Sequence, residues 1–217
     1  MKKRPDLYTN YKSESAIFST STQKVWFVLL ILLSLIVPFY FSPYWMLLVT
    51  TSLLIAIASW GLNIVSGMAG QINLAHGVFV GIGTYTSAVI GGVATSSVIG
   101  FELDMIIWLP LSGIIAALVG IIISPVSARL KGLNLGLVTL AIVFIGSHFF
   151  SNLKFITGGA GLGRKAAKLK FLGIDLDSGL SIGSMILEKN DVIYYFSLIL
   201  CIFPVSYTHL TLPTNDQ

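Results

Sequence analysis

Between Asn63 and Ala88 the chain breaks its apolar pattern with a run of uncharged polar residues and glycines. Asn63, Gln71, Asn73, His76, Thr84 and Tyr85 all fall here, flanked on both sides by long hydrophobic stretches. Gly61, Gly67, Gly70, Gly77, Gly81 and Gly83 lie among them. In hydrocarbon an unpaired polar group costs several kcal/mol, roughly, so such groups face protein, water or a solute. Glycine lets the backbone bend or approach a neighbour closely. A break of this kind inside a membrane protein predicts a permeation path or a tight helix contact. Gln71, Asn73 and His76, with Asn63, Thr84 and Tyr85, are the candidate path or gate residues; Gly70, Gly77, Gly81 and Gly83 are the candidate packing positions.

The membrane assignment rests on composition. Hydrophobic residues make up 55% of the 217, and charged residues 10%, against roughly 25% in soluble domains. A soluble core cannot hide that much apolar surface, so lipid must cover part of it. The net charge of +4 does not indicate nucleic acid, because the basic residues sit in loops beside apolar runs without interleaved aromatics. Cys201 is alone in an apolar run, which excludes a disulfide framework and reads as a small membrane-helix residue.

In order, residues 1–24 form a basic leader that reads as uncleaved and cytoplasmic, since no small-residue cleavage site follows the apolar run. Residues 25–41 give a first, short span, closed by Pro38 and Pro43 with Tyr40, Tyr44 and Trp45 as an aromatic belt. Spans are expected at 44–65, 77–98, 103–124 (ended by Pro125) and 133–150, with the polar break 66–76 between the second and third. Gly77 and Gly81 have a spacing suited to close helix packing. Residues 151–191 form a long polar segment, and a sixth span opens at 192 and stops near Pro204. The expectation is an all-α, polytopic membrane bundle of five complete spans and a truncated sixth, its permease domain occupying 25–204. Five basic residues precede the first span and two lie at 125–132, which puts the amino end in the cytoplasm and 151–191 outside.

The pieces Gly70-Gln71, Leu74-Ala75-His76, Phe79, Gly81-Ile82-Gly83 and Tyr85-Thr86 resemble the signature of the inner-membrane permease subunits of branched-chain amino acid ABC importers. Arg129-Leu130-Lys131-Gly132-Leu133 with Leu137-Val138-Thr139-Leu140-Ala141 is similar to a second block of that family, and Thr157-Gly158-Gly159-Ala160-Gly161-Leu162 to a third. Departures from the family pattern are Ala75 for Gly, Thr84 for Ala, Asn134 for an aromatic, no Asn before Gly161, and Ile142-Val143-Phe144 where an acidic residue is usual. The resemblance implies a bacterial inner-membrane subunit carrying leucine, isoleucine, valine or a similar small solute. It implies no cofactor in this chain, since ATP would be bound by partner ATPase subunits. A second homologous permease subunit, an extracytoplasmic solute-binding protein and membrane lipid complete the implied partners.

Other chemistries find little support. Gly158 to Lys165 nearly spells a phosphate-binding loop, but Arg164 holds the lysine position, Lys165 the Ser/Thr position, and no buried strand precedes it. No catalytic constellation and no metal-ligand spacing appears. His76 reads either as a structural hydrogen-bond donor or as a direct transport residue. Arg129 and Lys131 read as orientation anchors with lipid headgroup contact. The alternative class is a self-sufficient secondary transporter or channel, against which the missing intramembrane carboxylates argue. After Pro204 the tail, 205–217, alternates apolar and threonine-rich positions and is similar to translated adapter read-through. The expectation is a non-native tail on a truncated permease, with His209 carrying no function.

Overall fold

The computed structural model describes residues 21–130, 132–159, 163–182 and 185–211. The expectations for residues 1–20, Lys131, Ala160 to Leu162 and 212–217 lie outside the described residues. Helices dominate: α1 (Ser21–Tyr40), α2 (Pro43–Asn63), α3 (His76–Gly91), α4 (Met105–Ala128), α5 (Leu133–Asn152), the single turn α6 (Lys154–Thr157) and α7 (Lys189–Thr211). A π-helical turn, Ile64–Met68, continues α2. The polar segment folds partly as two small antiparallel hairpins, β1 (Lys170–Phe171) with β2 (Ile174–Asp175) and β3 (Leu180–Ile182) with β4 (Met185–Leu187).

Among the described residues three helical stretches are long and apolar enough to cross a membrane: Pro43–Gly67, Met105–Ala128 and Leu133–Asn152. The apolar part of α1, Val25–Tyr40, is shorter. The third expected span differs most. It stops at Gly91 after 16 residues, about 24 Å at the helical rise. Pro125 does not end the fourth helix either: α4 holds Pro110 and Pro125 and runs to Ala128. Each proline forfeits one backbone bond, a loss that membrane helices tolerate where local adjustments re-satisfy the freed group. The tail also departs from its strand-like pattern, because α7 remains helical through Thr211.

The chain divides into two compact units, one of residues up to Ile57 with those from Asn190, the other Ala58–Lys189. In the first, Pro43 occupies the opening turn of α2 and the Met46 N–H bonds the Ser42 carbonyl at 3.0 Å, a position where proline loses no bond. Pro38 has no N–H to offer the Ser34 carbonyl one turn earlier. The Tyr194 hydroxyl donates to that carbonyl at 2.7 Å, and the Tyr195 hydroxyl to the Leu35 carbonyl at 2.9 Å. Tyr194, Ser197 and Met46 are almost fully enclosed and form this unit's centre.

In the second unit α3 packs chiefly on α4 and also on α5. Its last four carbonyls, which a helix cannot satisfy internally, are each met by a later segment. Arg164 Nη2 donates to the Ala88 carbonyl at 2.5 Å. The Phe101 N–H reaches Val89 at 3.0 Å, the Leu103 N–H reaches Ile90 at 2.9 Å, and the Lys168 N–H reaches Gly91 at 2.9 Å. Gly91 has to be glycine because the Trp108 ring stands where a side chain would go. Arg164 also donates to the Ile99 carbonyl at 2.8 Å and, through Nη1, to the Ile156 carbonyl at 2.6 Å. Partial burial lowers its pKa by disfavouring the cation, and the fixed guanidinium fork lets one side chain serve three carbonyls. The Lys168–Glu102 pair at 3.0 Å is exposed on both sides and adds about 0–1 kcal/mol.

Arg164→Ala should therefore lower the stability of the purified chain in detergent by about 1.5–3 kcal/mol, the worth of charge-assisted bonds. Arg164→Lys should recover only part of it. Equal thermal midpoints for native and Arg164→Ala protein would show that this clamp is dispensable.

Candidate functional site

The polar break is made by α2 leaving the α-helical path. Across the π turn the Ala69 N–H bonds the Ile64 carbonyl and the Gln71 N–H the Val65 carbonyl, both at 3.2 Å. Ser66 Oγ donates to the Leu62 carbonyl at 2.8 Å, and the Asn63 amide fills the space beside Gly67 that any side chain there would need. Gly70 then adopts φ +61°, a left-handed conformation that glycine enters without strain. Residues 69–75 run back without helical structure to the start of α3.

This irregular backbone is tied to its surroundings at three points. The Leu74 N–H donates to Thr139 Oγ1 on α5 at 3.2 Å. The Ala75 N–H donates to Asn73 Oδ1 at 2.9 Å. His76 Nε2 lies 2.8 Å from the Ala58 carbonyl; a carbonyl only accepts, so that nitrogen carries the proton. Thr139 is buried and its own hydroxyl donates a hydrogen bond to the Gly136 carbonyl at 3.0 Å.

The tethered segment borders a cavity of about 350 Å³. Gln71, Asn73 and His76 line it, with Ser124 and Ser127 from α4 and Thr139 from α5. Val65, Ile72, Phe79, Ile123, Leu135, Val138 and Ile142 form the apolar remainder. Among the described residues no Asp, Glu, Lys or Arg lines it. A second, more open cavity of about 600 Å³ lies between α3 and the later half of α5, bordered by Leu74, Gly77, Val78, Tyr85, Val143, Ser147, Phe150 and Ser151 with Gly159 and Gly163. Tyr85 and Phe150 meet there with ring centroids 5.0 Å apart.

The structure thus brings Gln71, Asn73 and His76 to one cavity and Tyr85 to another. Asn63 is an exposed residue bracing the π turn. Thr84 is exposed, its hydroxyl bonded to the Val80 carbonyl of its own helix at 2.9 Å. Of the four packing glycines, Gly81 is in tight contact, since a Cβ there would come within 2.7 Å of the Phe150 ring. Gly77 and Gly83 have open space, and Gly70 serves the turn. Ser124 and Ser127 escaped the sequence reading, and Thr139 entered it only as part of the second family block, because only packing carries them to the break. Among the described residues no group of His, Cys, Asp and Glu could hold a metal ion.

Comparison with known proteins agrees with this architecture. The family described as "Branched-chain amino acid transport system / permease component" matches residues 44–207. The high-affinity branched-chain amino acid transport system permease protein LivM of Escherichia coli (strain K12) is 33% identical over 141 residues, 65% of this chain and 32% of that protein. Its Salmonella typhimurium counterpart is 31% identical over the same shares. The match therefore spans about a third of the length of these curated relatives. No solved structure matches the chain. The chain belongs to the family of branched-chain amino acid transport permease components.

Proposed function

We propose that the chain is the membrane-spanning permease subunit of an ABC importer, and that the cavity beside the polar break takes a neutral amino acid with a branched apolar side chain. The observation that carries this is the cavity wall: hydrophobic over most of its extent, with a few amide, hydroxyl and imidazole groups from the break, α4 and α5 and, among the described residues, no Asp, Glu, Lys or Arg. Its volume lies in the range of small-molecule sites, about 300–1,000 Å³. A zwitterion needs hydrogen-bond partners for its two ends but no net counter-charge, and an aliphatic side chain gains by leaving water. A solute with net charge would be desolvated without a compensating ion.

The energy source in this reading is a separate ATPase subunit. No Asp or Glu lies within the three long apolar helices, so a proton-coupled carrier would lack its usual carboxylate relay. A homologous permease partner and an extracytoplasmic binding protein complete the assembly. The membrane is the bacterial inner membrane. In it α1, α2, α3, α4 and α5 make five crossings, the amino end lies in the cytoplasm, and α7 returns toward it. The short α3 completes its crossing with the irregular residues 69–75, whose backbone N–H groups at Leu74 and Ala75 find side-chain partners in Thr139 and Asn73.

Two measurements test the reading. With the companion subunits present and expression equal, Gly81→Leu should reduce ATP-dependent leucine uptake by about tenfold, because the side chain would displace Phe150 from the α3–α5 contact. Leu29→Ala, on an exposed face of α1, should leave uptake unchanged. Uptake driven by a proton gradient alone would contradict the ATPase assignment. For orientation, a cysteine at Gly173→Cys in the β1–β2 turn should react with an impermeant reagent from outside the cell; reaction only from the cytoplasmic side reverses the topology.

A further inference from the structure

The two cavities occupy different lengths of one seam. On α5 the first touches Leu135 to Ile142 and the second Val143 to Ser151. At the start of α3 and just before it, the first meets Ala75, His76 and Phe79, and the second meets Leu74, Gly77 and Val78. The start of α3 is therefore the wall between them. Two contacts hold that wall to α5. One is the Leu74 N–H to Thr139 Oγ1 bond at 3.2 Å. The other is Val78, buried against Gly146: a Cβ built on Gly146 would lie 2.6 Å from Val78 Cγ1 and 3.4 Å from Val78 Cβ. Val78 fits only because position 146 has no side chain.

We infer that the seat of Val78 on Gly146, with the Leu74–Thr139 bond beside it, is the barrier between two halves of one solute path, and that Val78 sets what passes. This deepens the proposed transport function and rests on it for the identity of the solute, but not for the existence of the barrier. Both cavities are uncharged among their described lining residues, so a neutral solute meets similar chemistry on either side. At the first turn of α3 it is the Val78 side chain and one neutral hydrogen bond that have to yield. Separating α3 from α5 here exposes a single N–H and a threonine hydroxyl, and a passing solute or water can pair with both.

The spacing allows a direct test. A disulfide needs Cβ atoms about 3.5–4.5 Å apart, and the 3.4 Å between Val78 Cβ and the ideal Gly146 Cβ lies just below that range, close enough for a small backbone adjustment to bridge. In membranes holding the chain with its companion subunits and Cys201→Ser, the Val78→Cys/Gly146→Cys pair should cross-link on oxidation. Leucine uptake should then fall about tenfold or more and return with dithiothreitol. Failure of the pair to cross-link, or uptake unchanged once it has, overturns the barrier.

A second arm needs no solute. Ser147→Cys, lining the second cavity, identifies the side from which a small methanethiosulfonate reagent enters it. From that side, Ser124→Cys in the first cavity should be modified about tenfold faster in the Val78→Ala background than with Val78 intact. Val126→Ala, the same change on an exposed face of α4, should have no effect. Equal rates with Val78 and Val78→Ala overturn the barrier. A faster rate in Val78→Ala alongside no leucine uptake in any form supports the barrier and instead contradicts leucine as the solute.

Discussion

A helix broken inside an apolar protein leaves backbone groups that neither water nor lipid can satisfy, and the second unit is arranged around meeting that demand. The π turn absorbs part of it by lengthening the hydrogen-bond step, so that the Ala69 and Gln71 N–H groups still find carbonyls at Ile64 and Val65 within the turn. Asn73 covers the Ala75 N–H, and Thr139 on α5 covers the Leu74 N–H. His76 fastens the start of α3 back to Ala58. The bonds made by Asn73, Thr139 and His76 each need a polar side chain at a defined place, which is why uncharged polar residues gather in a chain with so few charges. The cavity lies beside this segment, with Gln71, Ile72, Asn73 and Ala75 in its lining.

The far end of α3 poses the same problem and is solved from a distance. Four terminal carbonyls, from Ala88 to Gly91, take donors from residues 101, 103, 164 and 168. A helix of 16 residues is thus fixed at its first turn by α2 and α5 and at its last by two loops. Between these anchors its sides are free to border cavities. The first unit repeats the logic on a smaller scale, where Tyr194 supplies the donor that Pro38 withholds from Ser34.

The sequence made the apolar helices and the break readable because both are local. Hydropathy placed the start of α5 at Leu133 and its end two residues early, and the run of Gly70, Gln71 and Asn73 marked where helix must stop. Composition could not show that Pro125 stays inside α4, since the decision depends on whether the freed carbonyl finds a partner. Nor could it show that α3 ends at Gly91, because the residues that close it lie up to 77 positions later, at Lys168. Arg164 looked like a failed phosphate loop; its role appears only when Ala88, Ile99 and Ile156 are brought together around it. The candidate site was half legible in the same sense. Gln71, Asn73 and His76 stood out within the break, whereas Ser124, Ser127 and Thr139 are ordinary helix residues until packing turns them toward it.

The central claim is that the cavity beside the break receives the solute. It is tested most directly by protection of a thiol placed in its wall. With Cys201→Ser and Ser127→Cys, in membranes containing the companion subunits, the rate of modification by a small methanethiosulfonate reagent is measured with and without leucine. Leucine should slow the reaction at concentrations that support uptake, and aspartate or lysine should not, because the described residues of the wall offer no counter-charge. Modification that proceeds at the same rate with leucine present, while uptake continues, would place the solute elsewhere.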